Sequence, residues 1–249
     1  MSVLNSCDGR KVVTVHQPEH LPWLGFFNKM AKADVFVLLD NVPFRKNYFQ
    51  NRNKILGTNG EQWIGIPVSV KGHITSTIKD TQIAYSANPK WREKYLRTVQ
   101  ESYGKYEFFN DIFPKLSEII TSDFVTISDV NIEIIKMFAN GFGIKPQFIR
   151  GSELDVDGAK SDLILDICEN LKADVYIAGP FGREYLKRDE FDERDIRVCF
   201  NDYSHPLYTQ KKSNEFVPYL SGLDLVMNCG YKQGKEIIMS GNEDVSWEW

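Results

Sequence analysis

Four polar side chains crowd into five positions directly after the apolar run Val12 to Val15: His16, Gln17, Glu19 and His20. Imidazole titrates near neutral pH, so a His there can serve as a general base or donate to a phosphate. In α/β proteins small ligands bind at the carboxyl ends of strands, where the next helix begins. The reading places the site at this junction, with His16 and His20 as catalytic candidates and Gln17 as a substrate-binding one. The two His are four apart, but Pro18 between them prevents a regular helix. The helical zinc pair that such spacing would suggest is therefore not formed, and no metal is expected.

Three further groups could carry chemistry. Asp40 and the basic, aromatic segment Asn41 to Lys54 come first. Arg45 and Arg52 can grip phosphate or carboxylate with forked donors. Asn51 and Asn53 can donate and accept toward sugar hydroxyls. Next is Gly179-Pro180-Phe181-Gly182-Arg183, a glycine-rich turn after a strand, whose backbone amides suit an anion. Then comes Tyr203-Ser204-His205-Pro206, where His205 is an alternative base. His73 reads as a loop residue. Each group also has a plain structural explanation: a helix cap, a hydrogen-bonded surface loop, a tight turn. No nucleophile elbow, Walker loop, zincin helix or kinase signature is present.

The elements that must position these residues follow from hydrophobic period and punctuation. Lys11 to Val15 and Val35 to Leu39 are apolar strands, the second continuous enough to be covered on both faces. Pro22 opens a helix to about Lys32, with Trp23, Phe26, Phe27 and Met30 at helical spacing. Asn41 to Lys54 reads as a loop, Gly57 to Glu61 as a turn, Trp63 to Val70 as a strand and Thr75 to Ile83 as a weaker one. Helices are expected over Trp91 to Tyr103, Phe108 to Ile120 and Ser128 to Gly141, the last capped by Ser128. Strand and helix then alternate: Lys145 to Arg150, Asp157 to Leu171, Val175 to Ala178 and Arg197 to Phe200. A final helix is expected from Phe216 to Gly230. The fold class is α/β: a mostly parallel, Rossmann-like three-layer sheet with an inserted helical subdomain. The organisation expected is one domain over residues 1–249, with the insertion at 88–143.

Composition bounds the partners. Of 249 residues, 42% are apolar and 26% charged, which is ordinary for a water-soluble globular chain. The apolar runs are far shorter than the roughly 20 residues a membrane helix needs, and the N-terminal stretch lacks a signal-peptide core. The four Cys are scattered without a CxxC pair, which suits a reducing compartment. A cytoplasmic location is expected. The net charge of −4 conceals an asymmetry: residues 41–105 hold eleven Lys/Arg against four Asp/Glu, a local net of +7. A basic region beside the opening stretch suits a phosphorylated small molecule. Duplex nucleic acid is not expected from an acidic chain without a binding motif.

The stretch HQPEHLPWLGFFNKMAKADVFVLLDNVPFRKNYFQNRNKI resembles the N-terminal signature of the WbqC-like family. The likeness continues through IAGPFGREYL, DYSHPLY and LDLVMNCG. The resemblance implies a place in bacterial surface-polysaccharide synthesis, O-antigen or capsule, and a nucleotide sugar as ligand. Three readings follow. One is an enzyme that transfers an acyl or aminoacyl group to the amine of a nucleotide-linked sugar, with His16 or His20 as base and Arg52 and Arg183 on the diphosphate. Another is a nucleotidylyltransferase or ATP-using ligase. That superfamily is similar in its strand, His-containing turn, helix and strand, but here the Gly and second His of its His-x-Gly-His motif are missing from His20-Leu-Pro-Trp23. The third is a non-catalytic sugar-nucleotide-binding protein. The cofactor is unknown, and a homodimer stays open.

Overall fold

The computed structural model describes residues 9–69 and 76–241. His73, and the expected strand ends at Val70 and Thr75, lie outside the described residues.

The apolar runs become a five-stranded parallel sheet: β1 (Val12–His16), β2 (Val35–Leu38), β5 (Gln147–Arg150), β6 (Val175–Ala178) and β7 (Arg197–Phe200), in the order β5-β2-β1-β6-β7. The chain builds outward from β1 through β2 to β5, then returns to lay β6 on the other side of β1. The direction reverses between β1 and β6, the topological switch point where ligands of open α/β sheets bind.

Alternation along the strands assigns the two faces. Val13, Val15, Val35 and Val37 pack with Ile164, Ile167 and Phe191, from α5 (Ser161–Asn170) and α6 (Arg188–Asp192). Phe36 and Leu38 point the other way. They join Phe26 and Phe27 of α1 (Leu24–Met30), Ile134 and Phe138 of α4 (Ile127–Phe142), and Leu223 and Val226 of α7 (Gly222–Ser240). Helices thus cover both faces, as a Rossmann-like three-layer fold requires. Each fully buried Phe or Leu of these layers stabilises by about 1.5–3 kcal/mol. Cys168 of α5 is fully buried in the first layer, and burial pushes its thiol up to about 12.

Between β2 and β5 lie an antiparallel hairpin, β3 (Arg52–Gly57) with β4 (Gly60–Gly65), then α2 (Trp91–Tyr103), α3 (Phe109–Thr121) and α4. Several boundaries differ from expectation. The end of the Asn41–Lys54 stretch is strand, because Asn53 is drawn inward by hydrogen bonds to the carbonyls of His20 and Leu21. The strand expected from Trp63 ends at Gly65, and the described part of the next expected strand, residues 76–83, forms isolated bridges. The cap of α4 is Thr126, whose hydroxyl accepts from the Asp129 amide, while Ser128 turns its hydroxyl to Asp40. The last helix starts six residues late and continues past Gly230 to Ser240. Gly230 breaks its path with φ +70°, and a Cβ there would lie 2.8 Å from the Phe108 ring.

Candidate functional site

At the carboxyl end of β1 the chain turns sharply, and Leu21 takes a left-handed φ of 44°. His16 closes β1 on the face of α1 and meets the Phe26 ring edge-on, with centroids 4.7 Å apart. Its Nδ1 lies 3.1 Å from the Gln17 carbonyl. A carbonyl can only accept, so Nδ1 carries the proton and Nε2 the lone pair. Burial, reinforced by the Lys29 charge, lowers its pKa to about 3, so the ring is neutral across the physiological range.

Two buried charges accompany it. Lys29 of α1 is 5% exposed and donates from Nζ to the Val15 carbonyl at 3.0 Å. Glu19 is 8% exposed, and its Oε2 has no hydrogen-bond partner among the described residues. Burial pushes the Glu19 carboxyl up to about 7 and the Lys29 ammonium down to about 7, each opposed by the other's charge. The two sites titrate as a coupled pair near neutrality.

His20 is fully buried, and its hydrogen bonds can be deduced in order. Asn131 of α4 places Nδ2 2.9 Å from the Pro18 carbonyl and 2.7 Å from the Gln50 carbonyl. Both are acceptors, so the amide nitrogen must face them and Oδ1 must face His20 Nδ1 at 3.0 Å. Nδ1 then donates, and Nε2 accepts from the Tyr95 hydroxyl at 3.0 Å. Both ring nitrogens are spent, and burial lowers the pKa to about 4. The His20 amide also donates to the Phe49 carbonyl. The imidazole thereby pins the turn to α2 and α4, and the His20 backbone amide ties it to the loop before β3.

That loop is tied to the strand end. Gln50 Nε2 donates to Gln17 Oε1 at 2.7 Å, and Gln50 Oε1 accepts from the Arg45 amide at 2.6 Å. The Arg45 side chain itself is exposed. Asn53 is buried on the turn's carbonyls, as described. Asn51 donates to the Ile66 carbonyl at 3.1 Å. Arg52 donates to the Asn47 carbonyl and lays its guanidinium 4.2 Å from the Trp63 ring centroid. Asp40 is fully buried past β2, where its carboxylate accepts from the Ser152 amide and the Ser128 hydroxyl, with an Arg150 nitrogen 4.0 Å away.

Gly179 follows β6 across the switch point from His16, and a Cβ there would meet nothing within 4 Å. Gly182 is different. Its Cβ would lie 2.9 Å from Ala178 and 3.1 Å from Phe200, so close packing requires the glycine. Arg183 is exposed and held by Asp202 through two bonds of 2.6 Å, over the Phe200 ring at 4.3 Å. His205 stands apart in an aromatic cluster, stacked on Trp23 at 6.3 Å and 14°, with Nδ1 2.9 Å from the Pro206 carbonyl.

His16, Gln17, His20 and Asn53 are thus gathered at one strand end by direct bonds or adjacency, with Arg45 linked through Gln50. Arg52, Arg183 and His205 each sit in surroundings of their own. The site residues missed by the sequence reading are Lys29, Tyr95 and Asn131, and Glu19 was given no role. Lys29 and Asn131 had a signal: each interrupts an apolar stripe at helical spacing, Lys29 three residues after Phe26 and Asn131 four after Ile127. Among the described residues no group of three or more His, Cys, Asp or Glu could hold a metal ion, and no helix is long and apolar enough to cross a membrane.

Comparison with known proteins gives a consistent picture. The model of the WbqC-like protein family matches residues 17–236. An uncharacterized protein of Mycobacterium tuberculosis (strain ATCC 25618 / H37Rv), Rv1507c, is 28% identical over 221 residues, covering 88% of this chain and 94% of that protein. No solved structure matches.

Proposed function

We propose, from the premise that the chain belongs to the WbqC-like protein family, that it transfers an acyl or aminoacyl group to the amine of a nucleotide-linked sugar in bacterial surface-polysaccharide synthesis. The observation that carries the chemistry is the buried Glu19 carboxyl in the turn at the carboxyl end of β1, whose Oε2 has no hydrogen-bond partner among the described residues; burial raises its pKa to about 7. A general base works best when its pKa lies near the working pH. Glu19 meets that condition, and His16, held near 3, does not. In this reading Glu19 is the base. The neutral Nε2 of His16 accepts a hydrogen bond from the amine, and Gln17 and Gly179 border the ligand. Arg45, on the loop joined to Gln17, faces the diphosphate.

With an acyl thioester as donor, the steps balance. Glu19 takes one proton from the sugar ammonium. The amine nitrogen attacks the carbonyl carbon, forming the C–N bond, and the C–S bond breaks. The second nitrogen proton passes to the departing thiolate, and Glu19 releases its proton to solvent. An ester-linked aminoacyl donor follows the same course with an alcohol as leaving group.

The test pairs binding with turnover. A thermal-shift screen over UDP- and dTDP-linked amino sugars, ATP and acyl-CoAs identifies the ligand class through mass-action stabilisation. E19Q should then keep sugar-nucleotide binding and lose about 10²–10⁴-fold in turnover. Undiminished turnover in E19Q overturns the assignment of the base. A response to ATP without one to any sugar nucleotide favours ATP-using chemistry instead. Binding without product across all donors reduces the protein to a carrier.

A further inference from the structure

The carboxyl edge of the sheet carries a notch between β1 and β7. The register of β1 on β6 pairs Thr14 with Ile177, and two residues further on it sets Gly179 beside His16. On the other side Ala178 pairs with Phe200, and the Asn201 amide donates to the Ala178 carbonyl at 2.9 Å, which sets Asn201 beside Gly179. Ala178 packs into the layer of α5 and α6, so alternation puts position 179 on the opposite, α1 face. His16 and Asn201 project on that face too: His16 meets Phe26, and Asn201 Oδ1 accepts from Lys32 Nζ at 2.6 Å. Neither backbone nor packing requires the glycine. Its φ of −73° and ψ of 168° are what any residue adopts before a proline. A Cβ there would meet no described atom within 4 Å, and the position is half-buried, so the notch opens to solvent. At such a position glycine is less stabilising than alanine, because it leaves the unfolded chain freer.

We propose that Gly179 is the specificity-determining residue of the strand-end site, and that the notch it leaves receives the ring of an amino sugar. The ring is that of the acceptor in the transfer proposed above, on which this assignment rests. Adjacent strands stand about 4.8 Å apart, so the span from β1 across β6 to β7 is about 10 Å, room for one pyranose ring with a hydrogen bond at each end. On the β1 side the half-buried His16 offers the lone pair of Nε2 to the amine. On the β7 side Lys32 holds Asn201 Oδ1, which turns Nδ2 away from the lysine as a donor to a ring hydroxyl. The ring displaces water from beside His16. A larger side chain at position 179 takes the same space.

Titration calorimetry separates ring from nucleotide. The parent, G179A and G179L are each titrated with UDP-glucosamine and dTDP-4-amino-4,6-dideoxyglucose, and with UDP and dTDP alone. The parent should bind at least one amino-sugar nucleotide. G179L should weaken that binding about 30-fold, the size of an overpacking effect, and G179A about fivefold. Affinity for the bare nucleotide should change less than about threefold in either variant. Thermal unfolding checks the fold: G179A should melt about 1–4 °C above the parent, because alanine fits this backbone without strain. Undiminished amino-sugar affinity in both variants, an equal loss for the bare nucleotide, or a lowered melting temperature in G179A would overturn the assignment of Gly179 and leave the transfer chemistry standing. A parent that binds neither amino-sugar nucleotide overturns both.

Discussion

Replacing Asn131 by Ala removes one amide and strands three buried groups at once. His20 Nδ1 loses its acceptor, and the carbonyls of Pro18 and Gln50 lose their donor. Asn131 itself is fully buried, so bulk water cannot step in. A buried group left unpaired costs about 1–3 kcal/mol. A water molecule fits the space of a lost amide and finds polar partners there, which recovers part of the loss. The expected destabilisation is about 3–5 kcal/mol, among the large effects seen for broken buried networks. For a chain of this size each kcal/mol lowers the melting temperature by about 2–4 °C, so the fall should be on the order of 10 °C. Thermal unfolding followed by circular dichroism measures it. Asn131→Asp is the sharper partner experiment. It keeps the acceptor for His20 but turns a carboxylate toward two carbonyl oxygens, and should be at least as damaging. Lys136→Ala, at an exposed ion pair with Glu133 one turn further along the same helix, should stay within about 0.5 kcal/mol of the parent. If Asn131→Ala melts within about 2 °C of the parent, the deduced bond directions around His20 are wrong, and the imidazole does not pin the turn.

Three further expectations concern pH and packing. The folded pKa of His20 lies below its ordinary value, so between pH 6.5 and about 4 the unfolded chain binds the proton and the folded one does not. Stability should therefore fall on acidification through that window, with a slope of up to about 1.4 kcal/mol per pH unit from this group. Urea unfolding at several pH values should show a shallower slope for H20Q. Glu19 is raised, so it acts oppositely: its stabilising protonation is lost as pH rises from 4.5 through about 7. E19Q should gain stability on the parent above neutrality and none at pH 4.5; identical pH profiles would contradict the burial of that carboxyl. Gly182→Ala pushes a methyl group to within 2.9 Å of Ala178 and should cost about 1–3 kcal/mol in chemical unfolding, whereas an unchanged midpoint would mean the 3-10 turn at Pro180–Glu184 shifts freely.

The sheet was legible because parallel strands buried on both faces must be continuous apolar runs, and VVTV, VFVL and VYIA are such runs. The carboxyl end of β1 was legible for the same reason: a cluster of polar side chains directly after such a run has few places to go but a ligand or a network. The roles within that cluster were hidden, because burial and distant partners decide them. His20 is answered by Tyr95 and Asn131, 75 and 111 residues along the chain. Arg183 looked like a phosphate ligand in its glycine turn, yet Asp202, 19 residues on, occupies its fork. The extent of the last helix was misjudged because Gly230 reads as a terminator, and only the Phe108 ring beside it explains a glycine that bends a helix which then continues.

Desolvation reorders the chemistry that residue types suggest. By ordinary pKa the two His of the turn are the natural bases and Glu19 and Lys29 are fixed charges. In the folded chain the same loss of water lowers both imidazoles far below neutrality, raises the carboxyl and lowers the ammonium. The groups shifted toward neutral pH become Glu19, in the turn after β1, and Lys29, in the last turn of α1. His20, with every nitrogen committed, becomes the fastener that holds the turn against α2 and α4. A site of this design needs its water excluded to work. Loosening the His20 network should therefore reach the proposed chemistry through hydration of Glu19, even though neither Asn131 nor Tyr95 need touch the reacting amine.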